Sequence, residues 1–468
     1  MVERLIRPPQ PAPGGRTIWV STDPTVTPGD GSSQSKVLRD PVAARKLIPN
    51  RTGSVLALHR GDTFGSLGSD QVGAWDKSGA SAAAPLTICS WGPASKPNPV
   101  IRPPANQHGL LMYQEPVSQL RILGVDFKGT QGTMSDGIIA AGDVTELLLE
   151  NCDVSLFHNA VTATHTGTRK RWTLRQCVLA DCFDPGNPYD GNGAFFSRTH
   201  DFTLERCLVM RNGVRPDGTV THCHGIYNLA ADHSTSGFIA RDCIFALNGN
   251  TGLSARTGGL VEDCLFIANA IAWNFGASNT PIQGGIDFVA RRVVTTESKG
   301  IGWAGWMRNV NSGLIEDAIM ANAGPGTQGR SYLIGGNNQP DAGWPNGPVA
   351  NLTTRRLIIH KHGQGPEIGE AVGMAKNIRF EDCEGPAIVG AAQHGSEIKY
   401  FGAKFGDPQA GYPDPNRTVA RYDQEVLGGP GSIAHFVTEA RKSPGAARFS
   451  AKAVNAWIAQ GFGKTWAQ

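Results

Sequence analysis

The chain has 468 residues, with 43 Lys and Arg against 40 Asp and Glu and a net charge of +3. This balance excludes the concentrated basic face that nucleic-acid binders carry, and no stretch is long and apolar enough to cross a membrane. With 59 glycines and only 18% charged residues, the composition indicates many short strands joined by tight turns.

The N-terminus, Met1-Val2-Glu3-Arg4, lacks the charged-then-apolar pattern of a secretory signal. Three expectations follow: a cytosolic protein, one that leaves by another route such as a virus particle, or a secreted one whose signal has been removed. Residues 1–36 read as an arm. Asp40 to Leu47 then reads as a short amphipathic helix, with Asp40 as N-cap and Pro41 in the first turn. A strand at Ser54–Leu58 follows, leading to the turn Gly61-Asp62-Thr63-Phe64 and a further strand at Pro85–Ile88.

From there a repeat organises the chain. Leu149-Glu150-Asn151-Cys152-Asp153-Val154 matches Leu204-Glu205-Arg206-Cys207-Leu208-Val209 and Val261-Glu262-Asp263-Cys264-Leu265-Phe266. The cysteine position recurs as Val125, Cys152, Cys177, Cys207, Cys243, Cys264, Val293, Ala318, Leu357 and Cys383, at intervals of 21 to 39 residues. Fixed templates with variable spacing mean one constant strand per coil and loops of differing length. Parallel strands stack about 4.8 Å apart, so the small apolar residues form one interior column. The cysteines there are expected to be buried thiols, not disulfides or metal ligands. Asn212, Asn248 and Asn269 sit five residues later, where an amide can bond its neighbour and tolerate αL geometry. The run Arg169-Lys170-Arg171 reads as a solvated loop.

The predicted fold is all-β: a single-stranded right-handed parallel β-helix of about ten coils, roughly 45–50 Å long. An N-terminal capping helix and a small helical C-terminal segment complete it. The β-helix with its capping helix spans 37–405, and 406–468 is a C-terminal cap or docking segment, helical at Ile433–Thr438 and Ala451–Gln460. Between residues 16 and 405, the helix, the Gly61-Asp62-Thr63-Phe64 turn, the Pro85–Ile88 strand and the coil template resemble the pectate-lyase-like superfamily of right-handed parallel β-helices. That resemblance implies a polysaccharide lyase, a glycoside hydrolase, an epimerase or a bacteriophage tail spike. It supplies no shared catalytic motif.

The candidate site comes from the segment Thr221-His222-Cys223-His224-Gly225-Ile226-Tyr227-Asn228. With Ile226 inward, alternation turns Tyr227 outward. Aligning Phe195, Ile226 and Leu253 puts Phe196, Tyr227 and Ser254 in one outward column and Arg198, Leu229 and Arg256 in the next. Asp190 and Asn192 fall beside His222 and His224. Such a set suits β-elimination on a uronic acid polymer: Arg256 and Arg198 for the carboxylate, Tyr227 and His224 for proton transfer, His222 and Asp190 in support. Phe196, Asn192, Asn274, Trp273, Trp303 and Trp306 are the expected sugar contacts, the tryptophans reading equally well as core. No metal site is expected from His222, Cys223 and His224, because adjacent strand residues face opposite ways. No cofactor is expected, and calcium stays open.

The leading expectation is a lyase acting on an acidic polysaccharide. The alternatives are a tail spike that binds a bacterial surface polysaccharide, which would be virion-associated and a homotrimer, and a glycoside hydrolase, which needs two carboxylates about 5–9.5 Å apart. The expected partner is a polysaccharide, with neither nucleic acid nor membrane involved.

Overall fold

A computed structural model describes residues 4–164, 167–186, 191–229, 237–276, 282, 284–299, 303–324, 331–335, 348–368, 375–406 and 411–466. The chain divides into two compact units, Met1–Thr203 and Leu204–Gln468. In both, short strands pair in parallel with the equivalent strand of the next coil, the arrangement of a parallel β-helix.

In the first unit, Val144–Glu150 pairs with Val117–Leu123 and Arg169–Arg175, and Asp153–Ser155 with Val178–Ala180. The solvated loop expected at Arg169-Lys170-Arg171 is instead a strand, with Arg169 buried and donating to Gly167 O and Ala140 O. Here α1 spans Pro41–Leu47, and the Asp40 carboxylate accepts from the Val42 and Ala43 amides at 2.9 and 3.1 Å. The arm strand Leu5–Ile6 pairs antiparallel with the end of Leu86–Pro93.

In the second unit the template residues follow one another along the ladder. Ile244 N donates to Cys207 O, Leu265 N to Cys243 O, Val294 N to Cys264 O, Ile319 N to Val293 O, Ile358 N to Ala318 O and Glu384 N to Leu357 O. Every one of these template residues is buried, and all nine cysteines are buried free thiols. Burial in an apolar column pushes the Cys243 thiol well above its ordinary pKa.

In one of the sheets, two left-handed corners flank successive short strands. Around Ile244–Ala246 they are Asp242 and Leu247, at φ 52° and 59°, and around Leu265–Ile267 they are Asp263 and Ala268, at 54° and 52°. The expectation that the asparagines themselves adopt αL is thereby corrected. The αL residues are Arg211, Leu247 and Ala268, one position earlier. That corner turns the following amide inward, where Asn212 Nδ2 donates to Asn248 Oδ1 at 3.0 Å and Asn248 Nδ2 to Asn269 Oδ1 at 3.1 Å.

The C-terminal segment holds α2 (Val419–Glu425), α3 (Ile433–Lys442) and α4 (Ala451–Gly461). Sequence periodicity marked α3 and α4 and missed α2, which is only seven residues long and opens on a Thr418 cap. Asn455 Nδ2 on α4 donates to Cys264 O and Arg292 O at 3.0 and 3.2 Å, and Asp242 Oδ1 accepts from Lys452 N at 2.8 Å. The segment therefore lies against the coil corners of its own unit.

Candidate functional site

Gly225 sets the local geometry. A Cβ there would lie 2.4 Å from Gly252 O, so only glycine lets the chain run close against the next strand. The strand Ile226–Asn228 then alternates: Ile226 and Asn228 are buried inside, and Tyr227 faces outward, half-buried. Register extends this outward row across successive strands, Tyr227 opposite Ser254, Ser254 opposite Asn274 and Asn274 opposite Trp306.

Three predicted residues meet here. The His224 and Tyr227 rings stack at 4.6 Å with 12° between their planes, and the Arg256 guanidinium lies over the Tyr227 ring at 4.6 Å. Burial pushes His224 down to about 3, helped by the nearby positive charge of Arg256 and by His222. Burial also raises the Tyr227 phenol, with Arg256 opposing, and lowers Arg256, with Tyr227 opposing. At neutral pH the set is thus a neutral imidazole, a protonated phenol and a cationic guanidinium. Among the described residues no carboxylate pairs with Arg256.

Beyond Asn274 the outward row reaches Trp306, half-buried, with Trp303 edge-on at 5.1 Å. Arg308 covers the Trp306 ring at 3.2 Å, so that face meets a guanidinium and not a sugar. Ser254 is fully buried.

Other expectations are corrected. Phe196 is fully buried, packed on Trp172 and Phe202 at 6.2 and 4.1 Å, while Phe195 is the half-exposed residue of its strand. The alignment was one residue out, and a one-residue slip exchanges inward for outward. Trp273 is 1% exposed and points inward, its indole filling the space that Gly305 leaves without a side chain. Asn192 is a buried ladder residue whose backbone N and Nδ2 donate to Asn159 Oδ1 at 2.8 and 3.2 Å. Arg198 and His222 are exposed, Arg198 in the first unit and His222 beside the Tyr227 strand in the second. Asp190 lies outside the described residues.

Arg308 was missed, although it was legible. Ser254-Ala255-Arg256, Asn274-Phe275-Gly276 and Trp306-Met307-Arg308 repeat one outward–inward–outward triplet. Among the described residues, one group could approach a metal, Asp23, His59 and Asp62 in the first unit. Its oxygens are already engaged: Asp62 Oδ2 accepts from Ser21 Oγ and Thr22 N, both at 2.7 Å, and Asp23 accepts from Thr25 and Lys96. These bonds tie the loops around it together.

The stacked parallel strands and their recurring αL corners define the class as a parallel β-helix. Among solved structures, the chain is similar to two mannuronan C-5 epimerase A-modules from Azotobacter vinelandii. The AlgE6 module aligns at 12% identity over 76% of this chain and 91% of that one, with a TM-score of 0.54. The AlgE4 module aligns at 11% identity over 75% and 88%, with a TM-score of 0.51. At such identities the likeness is one of fold. No family model matches the chain, and no curated protein matches its sequence.

Proposed function

We propose that the protein is a polysaccharide-modifying enzyme acting on a uronic acid polymer, and that it cleaves by β-elimination. The observation that carries this reading is the set of three side chains, with His224 neutral, Tyr227 protonated and Arg256 charged over the phenol ring. Arg256 meets the substrate carboxylate and neutralises it, which makes the C5 proton more acidic. His224 takes that proton, the C5–H electrons form a C4–C5 double bond, and the C4–O4 bond breaks. Tyr227 gives its proton to O4 as it leaves with the other sugar. The bound carboxylate also raises the proton affinity of His224, since it offsets the Arg256 charge that depresses it.

Two of the groups hold the protonation states elimination needs before substrate arrives, and the cation has no described carboxylate partner. A hydrolase would need a carboxylate pair at the bond. The test is incubation with polygalacturonate, alginate and a neutral glucan, read for near-ultraviolet absorbance and for reducing ends. Unsaturated ends are expected on an acidic polymer, and Tyr227→Phe should lower their rate about 10²–10⁴-fold. Reducing ends without unsaturation would overturn elimination. Inversion at C5 without cleavage, seen by NMR, would overturn it too while keeping the proton-abstraction step.

A further inference from the structure

A second row of outward positions runs beside the Tyr227–Ser254–Asn274–Trp306 row. It holds Arg256, Gly276 and Arg308, each two residues beyond its partner in the first row. Gly276 is required to be bare, at φ +80° with an added Cβ only 1.6 Å from Arg308 O. The row therefore has a gap between two guanidiniums. Arg256, Asn274, Gly276, Trp306 and Arg308 line one small cavity there, of about 40 Å³.

We infer that this notch takes a single carboxylate of the polymer, with Arg308 as the second cation that recognises it. The inference rests on the functional reading above and deepens it. The volume suits about three waters, which is room for a carboxylate and too little for a sugar ring. Guanidinium forks match a planar carboxylate in two-point contact. Arg308 is held for this: its guanidinium lies over the Trp306 ring, and Trp306 Nε1 is anchored on Gly335 O at 3.2 Å. Beside the notch, Asn274 Oδ1 and Ser254 Oγ are buried without a hydrogen-bond partner among the described residues. Such atoms cost stability unless water or a ligand satisfies them, and at Asn274, which lines the notch, a sugar hydroxyl next to a carboxylate would do so. Cations in one row and orphaned polar atoms in the other together match a uronate.

Calorimetric titration with tri-galacturonate and tri-mannuronate, and with their carboxyl-reduced counterparts, tests this. Arg308→Ala should weaken the carboxylated trimer that binds by about tenfold or more and leave the reduced one unchanged. Arg308→Lys should recover only part, because an ammonium lacks the fork. Asn274→Asp puts a negative charge in the notch and leaves the guanidiniums in place, so it should also discriminate against the carboxylated trimer. Equal losses on both kinds of trimer, no loss, or no preference of the wild type for carboxylate would overturn the notch. Carboxylate-dependent binding without any unsaturated product would overturn the elimination reading and leave the notch standing.

Discussion

Burial acts on Tyr227 and His224 in the same sense, toward the neutral form, and so leaves one with its proton and the other without. A base free of its proton over the whole working range should show no acid limb near the ordinary histidine value of about 6.5. The kcat/KM profile, which reports the free enzyme, should therefore stay level from about pH 8 down to about pH 5 before falling. A limb at 6.5 would mean that His224 titrates as an exposed histidine and is not shielded by burial and Arg256. The sequence shows His224 and Tyr227 as a pair because strand alternation and a required glycine sit in four consecutive letters. It does not show Arg256 over the phenol, since that contact depends on which way a long side chain leaves the next coil.

Between coils, what was legible is what repeats. The cysteine column could be read because every coil must fill the same solvent-free position, and the asparagine ladder because each amide needs the next. The register at Phe195 and Phe196 could not be read: two adjacent phenylalanines satisfy alternation either way, and only packing on Trp172 and Phe202 selects Phe196 as the inward one. Nor could the docking of the C-terminal helices, which rests on contacts between residues far apart in sequence. One of these carries a pH dependence. Glu297 Oε2 accepts from Val419 N at 3.0 Å at the start of α2, and burial raises the carboxyl to about 7 against Lys299 and the helix amides. A carboxyl whose folded pKa lies above its unfolded value favours the folded state while protonated. That contribution is complete below about pH 4.5 and is lost as pH rises toward 7. The change is of order 3 kcal/mol at most. Glu297→Gln keeps the acceptor and removes the charge, so the melting temperature of the variant should fall less than that of wild type between pH 4.5 and 7. Equal slopes in the two proteins would show that Glu297 is ionised and well solvated beside α2.

For the molecule as a whole, 43 basic and 40 acidic residues leave +3, and many of the arginines are spent on one another's neighbours. Arg241 and Arg291 share Glu262, Arg292 meets Asp263 at 2.7 Å, Arg355 meets Glu381 at 2.8 Å and Arg356 meets Asp317 at 2.7 Å. These pairs are partly exposed and solvent-screened, so each contributes little, and they build no field that would draw a polyanion from a distance. On the proposed reading, attraction to an acidic polymer comes from contact at Arg256 and Arg308, within a screening length of about 10 Å at 0.1 M salt. Raising salt from about 0.05 to about 0.5 M should increase KM by about 10–100-fold and leave kcat nearly constant, because only two guanidinium–carboxylate contacts are screened. The melting temperature should move little over the same range, since the surface pairs contribute little. A KM indifferent to salt would remove the guanidiniums from substrate binding. A rise of about 10³-fold would instead place binding on a broad cationic surface, which neither the composition nor the paired arginines provide.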